Sequence, residues 1–140
     1  MVEPTEPTLR DVIAVAEFRS ALRHFLRRSE RVARQSGLTP QRYTLLMMIK
    51  GAPGGAEQST VTELAERLQL AQSTVTELVR RAETAGLIER EQSQRDARVA
   101  HLRLTPEGER RLMRSFTALE TERAQLREAF ANLDGGVSGN

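Results

Sequence analysis

The sequence predicts a mostly α-helical chain that carries one small β-hairpin, and three observations predict it. Apolar residues recur at three- and four-residue steps along most of the 140 positions, the mark of helices with one buried face. From Val99 to Leu104 the pattern changes to alternation, with Val99, His101 and Arg103 on one side and Ala100, Leu102 and Leu104 on the other, as in the return strand of a hairpin. Gly37, Pro40, Gly51, Gly86 and Pro106 punctuate the pattern where helices should start or stop.

The first helix is expected over Leu9 to Gln35, on the repeat of Leu9, Val12, Ile13, Ala16, Leu22, Phe25, Leu26, Val32 and Ala33, with Gly37 as its stop. A second follows from Pro40, capped by Thr39, and is apolar nearly all round through Leu45, Leu46, Met47, Met48 and Ile49, so it belongs in the middle of the fold. The Gly51 to Gly55 stretch is a turn. It lacks the Gly-Lys-Ser/Thr that would open a helix after a phosphate-binding loop.

A short helix from Glu63 to Leu68, capped by Thr62, leads through a turn at Gln69 to Ala71 into a longer helix from Gln72 to Ala85. On that longer helix Val75, Leu78, Val79 and Ala82 form the inner face. The outer face shows Gln72, Ser73, Thr74, Thr76, Glu77, Arg80 and Arg81. Leu87 and Ile88 begin the hairpin, whose tip near Gln92 to Ala97 lifts Arg95 and Arg98 away from the body with Asp96 between them. Helix, turn, helix and basic hairpin together spell a winged helix-turn-helix. Small polar groups at a helix start can approach base edges in the major groove, and a basic hairpin can reach an adjacent minor groove. Asp96 is placed to fix a guanidinium by charge-assisted hydrogen bonds.

The last helix opens at Thr105-Pro106-Glu107. Leu112, Phe116, Leu119, Arg123, Leu126, Phe130 and Leu133 step along it by four and three, a seam that suits either an intrachain core or a dimer-forming arm. The organisation expected is a flexible stretch at 1–8, an N-terminal helix at 9–37, the winged helix-turn-helix at 38–104, a C-terminal helix at 105–134 and a flexible tail at 135–140.

Composition narrows the function. No cysteine is present, which removes disulfides, thiolate metal sites and thiol redox switching. His24 and His101 are far apart, neither HExxH nor GxSxG occurs, and carboxylates are scattered, so no enzyme, cofactor or metal site is expected. No apolar run is long enough to span a bilayer and no signal-peptide pattern opens the chain, so no membrane partner is expected and the protein is expected in the cytoplasm. Net charge is +2, with twenty arginines and the single Lys50, and residues 59–104 hold seven basic and seven acidic side chains. A neutral reader cannot rely on bulk charge, since phosphate affinity scales with the phosphates contacted. Individual arginines must be well aimed.

From Leu38 onward the chain resembles the multiple antibiotic resistance regulator (MarR) family of bacterial winged-helix repressors, in LTPQRYTLLMMI, TELAERLQLAQSTVTELVRRAETAGLIER and DARVAHLRLTPEG. Asp96, Arg98, Leu104 and Thr105 match the family's wing motif. The resemblance implies that Ser73, Thr74 and Thr76 lie on a recognition helix in the major groove of double-stranded DNA, with Arg98 in the minor groove. It implies a homodimer joined through the N- and C-terminal helices, for which Leu9, Val12, Phe116, Leu119, Arg123, Leu126 and Phe130 are the candidates. It also implies a repressor of a pseudo-palindromic operator of about 15 to 25 base pairs, relieved by a small aromatic or anionic ligand. A protein-binding winged helix and a ligand-independent regulator are the alternatives.

Two positions depart from the family. Ala71 stands where a capping residue is usual, and Glu77 where a basic residue is frequent. Glu77 could accept from a cytosine amino group or pair with Arg80 or Arg81 at helical spacing. Separately, Arg19, Arg23, Arg27 and Arg31 recur every fourth residue on the first helix. That stripe suits a solvated face, cross-subunit pairing with Glu120, Glu122 or Glu128, or a pocket wall, and Arg23, His24, Arg27 and Met47 are the candidate effector site.

Overall fold

The computed structural model describes residues 5–135. Of the ends expected to be flexible, 1–4 and 136–140 lie outside the described residues, and 5–8 carry no regular structure. In chain order the elements are α1 (Leu9–Gln35), α2 (Pro40–Lys50), a 3-10 turn (Pro53–Gly55), α3 (Val61–Leu68), α4 (Gln72–Thr84), β1 (Ile88–Gln92), β2 (Ala100–Leu104), α5 (Pro106–Ala118) and α6 (Glu120–Gly135). The chain is mostly helical with one hairpin, a winged helix-turn-helix. Two compact units form, one from the residues up to Val32 and those from Thr117, the other from Ala33 to Phe116.

In the first unit, Phe18 of α1 meets Phe130 of α6 edge to face with ring centres 6.0 Å apart. Arg28 pairs with Glu122 at 3.6 Å. Large apolar side chains of this unit remain in water: Leu9, Val12, Ile13, Val15 and Leu26 on α1, and Phe130 on α6.

The second unit is built on α2. Its N-cap Thr39 accepts from the Arg42 amide at 3.1 Å, and Pro40 occupies the first turn where its missing N–H removes no bond. Leu45, Leu46 and Ile49 are fully buried, against α3, α4 and β2. Burying such side chains contributes about 1.5–3 kcal/mol each, which is why the apolar α2 sits centrally. Lys50 at its end donates to Glu57 and, at 2.7 Å, to Glu109 of α5, fastening the turn and α5 to α2.

Two expectations are corrected. The cap of α3 is Thr60, not Thr62: its hydroxyl accepts from the Glu63 amide at 3.2 Å and donates to the Glu63 carboxylate at 3.0 Å, so the helix begins at Val61. The helix expected to run unbroken to residue 134 is interrupted at Leu119, which is fully buried within the chain and whose carbonyl accepts from the Arg123 amide to start α6. As far as Phe116, α5 is packed into the second unit.

The wing follows from Gly86, whose φ of 75° only glycine adopts freely and which turns the chain out of α4. β1 and β2 pair antiparallel from Ile88↔Leu104 to Gln92↔Ala100. Leu102 and Leu104 point inward, as their alternation predicts. On its other edge β2 is bridged by Ser59, which exchanges both backbone hydrogen bonds with Leu102 at 3.0 and 2.8 Å.

Candidate nucleic-acid interface

α3 ends at Gln69, held at φ 56°, and the turn delivers Ala71 in extended conformation as the N-cap of α4. Ala71 provides no side-chain acceptor, so the first-turn N–H groups of α4 open outward. Gln72, Ser73, Thr74 and Thr76 are all exposed around that turn, while Val75, Leu78, Val79 and Ala82 are buried beneath. Helix macrodipole and free amides together make such a terminus attractive to phosphate.

Further along α4, Glu77 is joined to two arginines. Arg80 donates to it from Nε at 3.0 Å and from Nη2 at 2.6 Å, and Arg81 donates from Nε at 3.1 Å. The Arg80 guanidinium, with that of Arg81 beside it, holds the Glu77 carboxyl down at about 2. Of the two roles open to Glu77, the pairing at helical spacing is present, and Arg81, not among the expected site residues, takes part in it. Its signal was the four-residue step from Glu77.

The loop between β1 and β2 is organised by side chains. Ser93 Oγ accepts from the amides of Arg95 and Asp96 at 3.2 and 3.3 Å. Asp96 Oδ1 accepts from the Arg98 amide at 3.0 Å and lies 3.4 Å from Arg98 Nε. The Arg98 side chain is 93% exposed despite this tether. Arg95 is exposed on the same loop. Ser93 was not among the expected residues; its position three before Asp96 is the sequence trace of this turn.

The candidate effector residues fall in different units. Arg23, His24 and Arg27 are exposed on α1 in the first, and Met47 is half-buried on α2 in the second. His24 lines a groove of about 330 Å³ with Glu17, Phe25, Glu122 and Gln125, and neither Arg23 nor Arg27 is in its wall. The wall of this groove carries the carboxylates of Glu17 and Glu122. Of the candidate dimer contacts, Leu9, Val12 and Phe130 are exposed, Phe116, Arg123 and Leu126 are half-buried, and Leu119 is already enclosed in its own chain.

A family model described as the MarR family matches residues 36–99, which contain α2, α3, α4 and β1 and run to the edge of β2. The solved structure of a MarR family transcription regulator is 25% identical, with a TM-score of 0.68 over 91% of this chain and 82% of that one. Over these residues and in its fold the chain is similar to the MarR family. A second solved structure, a transcriptional regulator from Thermotoga maritima, is 26% identical with a TM-score of 0.60 over 87% of this chain and 78% of that one. A mutant of Escherichia coli MarR complexed with operator DNA shares the fold at 17% identity, with a TM-score of 0.68 over 94% of this chain and 97% of that one. No curated protein matches the sequence. The residues that carry the sequence resemblance to that family, Asp96 and Arg98, stand on the wing loop, and the two that depart from it, Ala71 and Glu77, stand at the cap and on α4.

Proposed function

We propose that this chain is a MarR-family regulator that binds double-stranded DNA as a homodimer in the cytoplasm, reading a pseudo-palindromic operator and repressing transcription until a small ligand relieves it. The observation that carries the reading is Arg98: a guanidinium 93% exposed at the end of a hairpin, tethered by Asp96 rather than buried in any intrachain contact. A charged side chain held out in this way suits insertion into a minor groove, where negative potential is concentrated. The exposed Ser73, Thr74 and Thr76 at the start of α4 suit the adjoining major groove. The E. coli relative solved on its operator supports the same use of the fold.

Dimerisation is supported by the apolar side chains that one copy leaves in water, Leu9 at 75%, Val12 at 60% and Phe130 at 59% exposure. A second copy covers such a surface with an interface of the same residues. For the ligand, the exposed guanidinium groups of Arg23 and Arg27, and not the carboxylate-lined groove beside His24, are where an anionic aromatic compound is drawn.

Fluorescence anisotropy with DNA from upstream of the gene tests this. Wild type should bind with a strong salt dependence, and Arg98→Ala should bind more weakly with a log–log salt slope reduced by about one. Equal affinity and equal slope for the two proteins would refute the wing assignment. Calorimetry with a panel of aromatic carboxylates tests the ligand, and no heat from any of them counts against it.

A further inference from the structure

Glu77 is gripped from two sides on the open face of α4. Arg80 reaches both of its oxygens, Nε to Oε2 at 3.0 Å and Nη2 to Oε1 at 2.6 Å, while Arg81 Nε reaches Oε1 at 3.1 Å. The three side chains together carry one net positive charge. A guanidinium has five N–H donors in a rigid plane, so each arginine keeps free N–H groups while tied to the carboxylate. Both arginines are mostly in water, at 64% and 60% exposure, and without Glu77 their long side chains would sample many positions.

We propose that Glu77 is a positioning residue for sequence discrimination: it tethers Arg80 and Arg81 so that they serve DNA matching their fixed geometry and are withheld from phosphates elsewhere. This rests on the DNA-binding reading above. Direct acceptance from a cytosine amino group is the weaker role, because both carboxylate oxygens already accept from guanidinium groups. A random duplex gains full phosphate contact only by drawing the arginines off the carboxylate. A matching duplex takes the remaining N–H groups where they stand. The neutral balance of residues 59–104 has the same effect on a larger scale, since each extra phosphate neutralised steepens the salt dependence by about 0.9 in the log–log slope.

The test compares wild type, Glu77→Gln, and Glu77→Gln combined with Arg80→Ala. The probes are a genomic duplex selected by wild type and a scrambled duplex of the same length and composition, each titrated at several salt concentrations. Glu77→Gln should bind the scrambled duplex roughly three- to tenfold more tightly, with a slope steeper by about one. The selected duplex should gain less, so the ratio between the two falls. Adding Arg80→Ala should return the slope toward wild type. The proposal is overturned if Glu77→Gln leaves slope and ratio unchanged, or weakens both duplexes equally. If wild type itself binds no duplex, the DNA-binding reading falls and takes the proposal with it, whereas binding by wild type that Glu77→Gln merely reproduces removes the proposal alone.

Discussion

The carbonyl oxygen of Leu87 stands 2.2 Å from where a Cβ on Gly108 would begin. That oxygen also accepts from the Thr105 amide at 3.0 Å, and Thr105 Oγ donates to the Gly86 carbonyl at 2.6 Å. The start of α5 is thus pressed onto the chain entering the wing, and the contact leaves no room for a side chain. In an open helix, replacing glycine by alanine stabilises by up to about 1 kcal/mol. Here Gly108→Ala should destabilise by about 1–3 kcal/mol, as overpacking does, and thermal melting reads the sign.

Ala71 should accept a cap. It has the extended backbone of an N-cap and makes no side-chain bond to α4. Ala71→Ser should stabilise by about 1 kcal/mol, raising the melting temperature by roughly 3–5 °C for a domain of this size. An unchanged melting temperature would mean that the serine hydroxyl finds no first-turn amide.

The two threonines near α3 should behave differently. Thr60→Ala removes the acceptor for the Glu63 amide and should cost about 1 kcal/mol. Thr62→Ala lies on an exposed surface and should stay within about 0.5 kcal/mol of wild type. The reverse order in chemical denaturation would restore Thr62 as the cap.

Lys50 should give a stability window in pH. Its bond to Glu109, and then that to Glu57, raises its pKa above the ordinary 10.5, while Lys50 lowers that of Glu57 below the ordinary 4.5. A raised lysine stabilises below its unfolded pKa and loses that contribution as pH climbs through the folded value. A lowered glutamate stabilises above its unfolded pKa and loses it as pH falls. The difference in melting temperature between wild type and Lys50→Met should therefore be largest near neutrality and shrink both above pH 10.5 and below pH 4.5. A difference that stays flat across that range would show that the ion pairs contribute nothing.

Asp96→Ala should separate aiming from charge. Arg98 keeps its guanidinium but loses the carboxylate that accepts from its amide and lies beside Nε. DNA binding should weaken several-fold while the salt slope stays near that of wild type, in contrast to Arg98→Ala, where the slope falls by about one. A slope that drops equally in both variants would mean that Asp96 acts only by keeping the loop folded.

The helices that could be read in advance were those with a clean period and a strong stop. Leu9–Gln35 and Pro40–Lys50 are both of this kind, and so is the inner face of α4. The cap of α3 is less legible because Thr60 and Thr62 stand on either side of Val61, and only the Glu63 carboxylate, three positions on from Thr60, distinguishes them. The interruption at Leu119 was hidden for another reason: a step of four and three continues across it, since helices on either side share one period and Leu119 itself is apolar. In the candidate site, spacing alone left Glu77 between two roles. Which oxygen faces which guanidinium is a matter of rotamers, and those are set by neighbours on the folded surface. The groove beside His24 brings Glu17 of α1 to Glu122 of α6, a meeting of segments over a hundred positions apart that no local pattern announces.

Ser59 has a consequence for how an operator is measured. It binds the middle of β2 by two backbone hydrogen bonds and stands one residue before the cap of α3. The strand that carries the wing is therefore stitched to the entrance of the helix-turn-helix, and neither can slide without the other. Within one copy the two parts proposed to face DNA form a ruler of fixed length. In the proposed dimer any adjustment to the distance between half-sites then comes from how the two copies are joined, so the tolerated spacings in a series of lengthened operators would report on that joint and not on the wing.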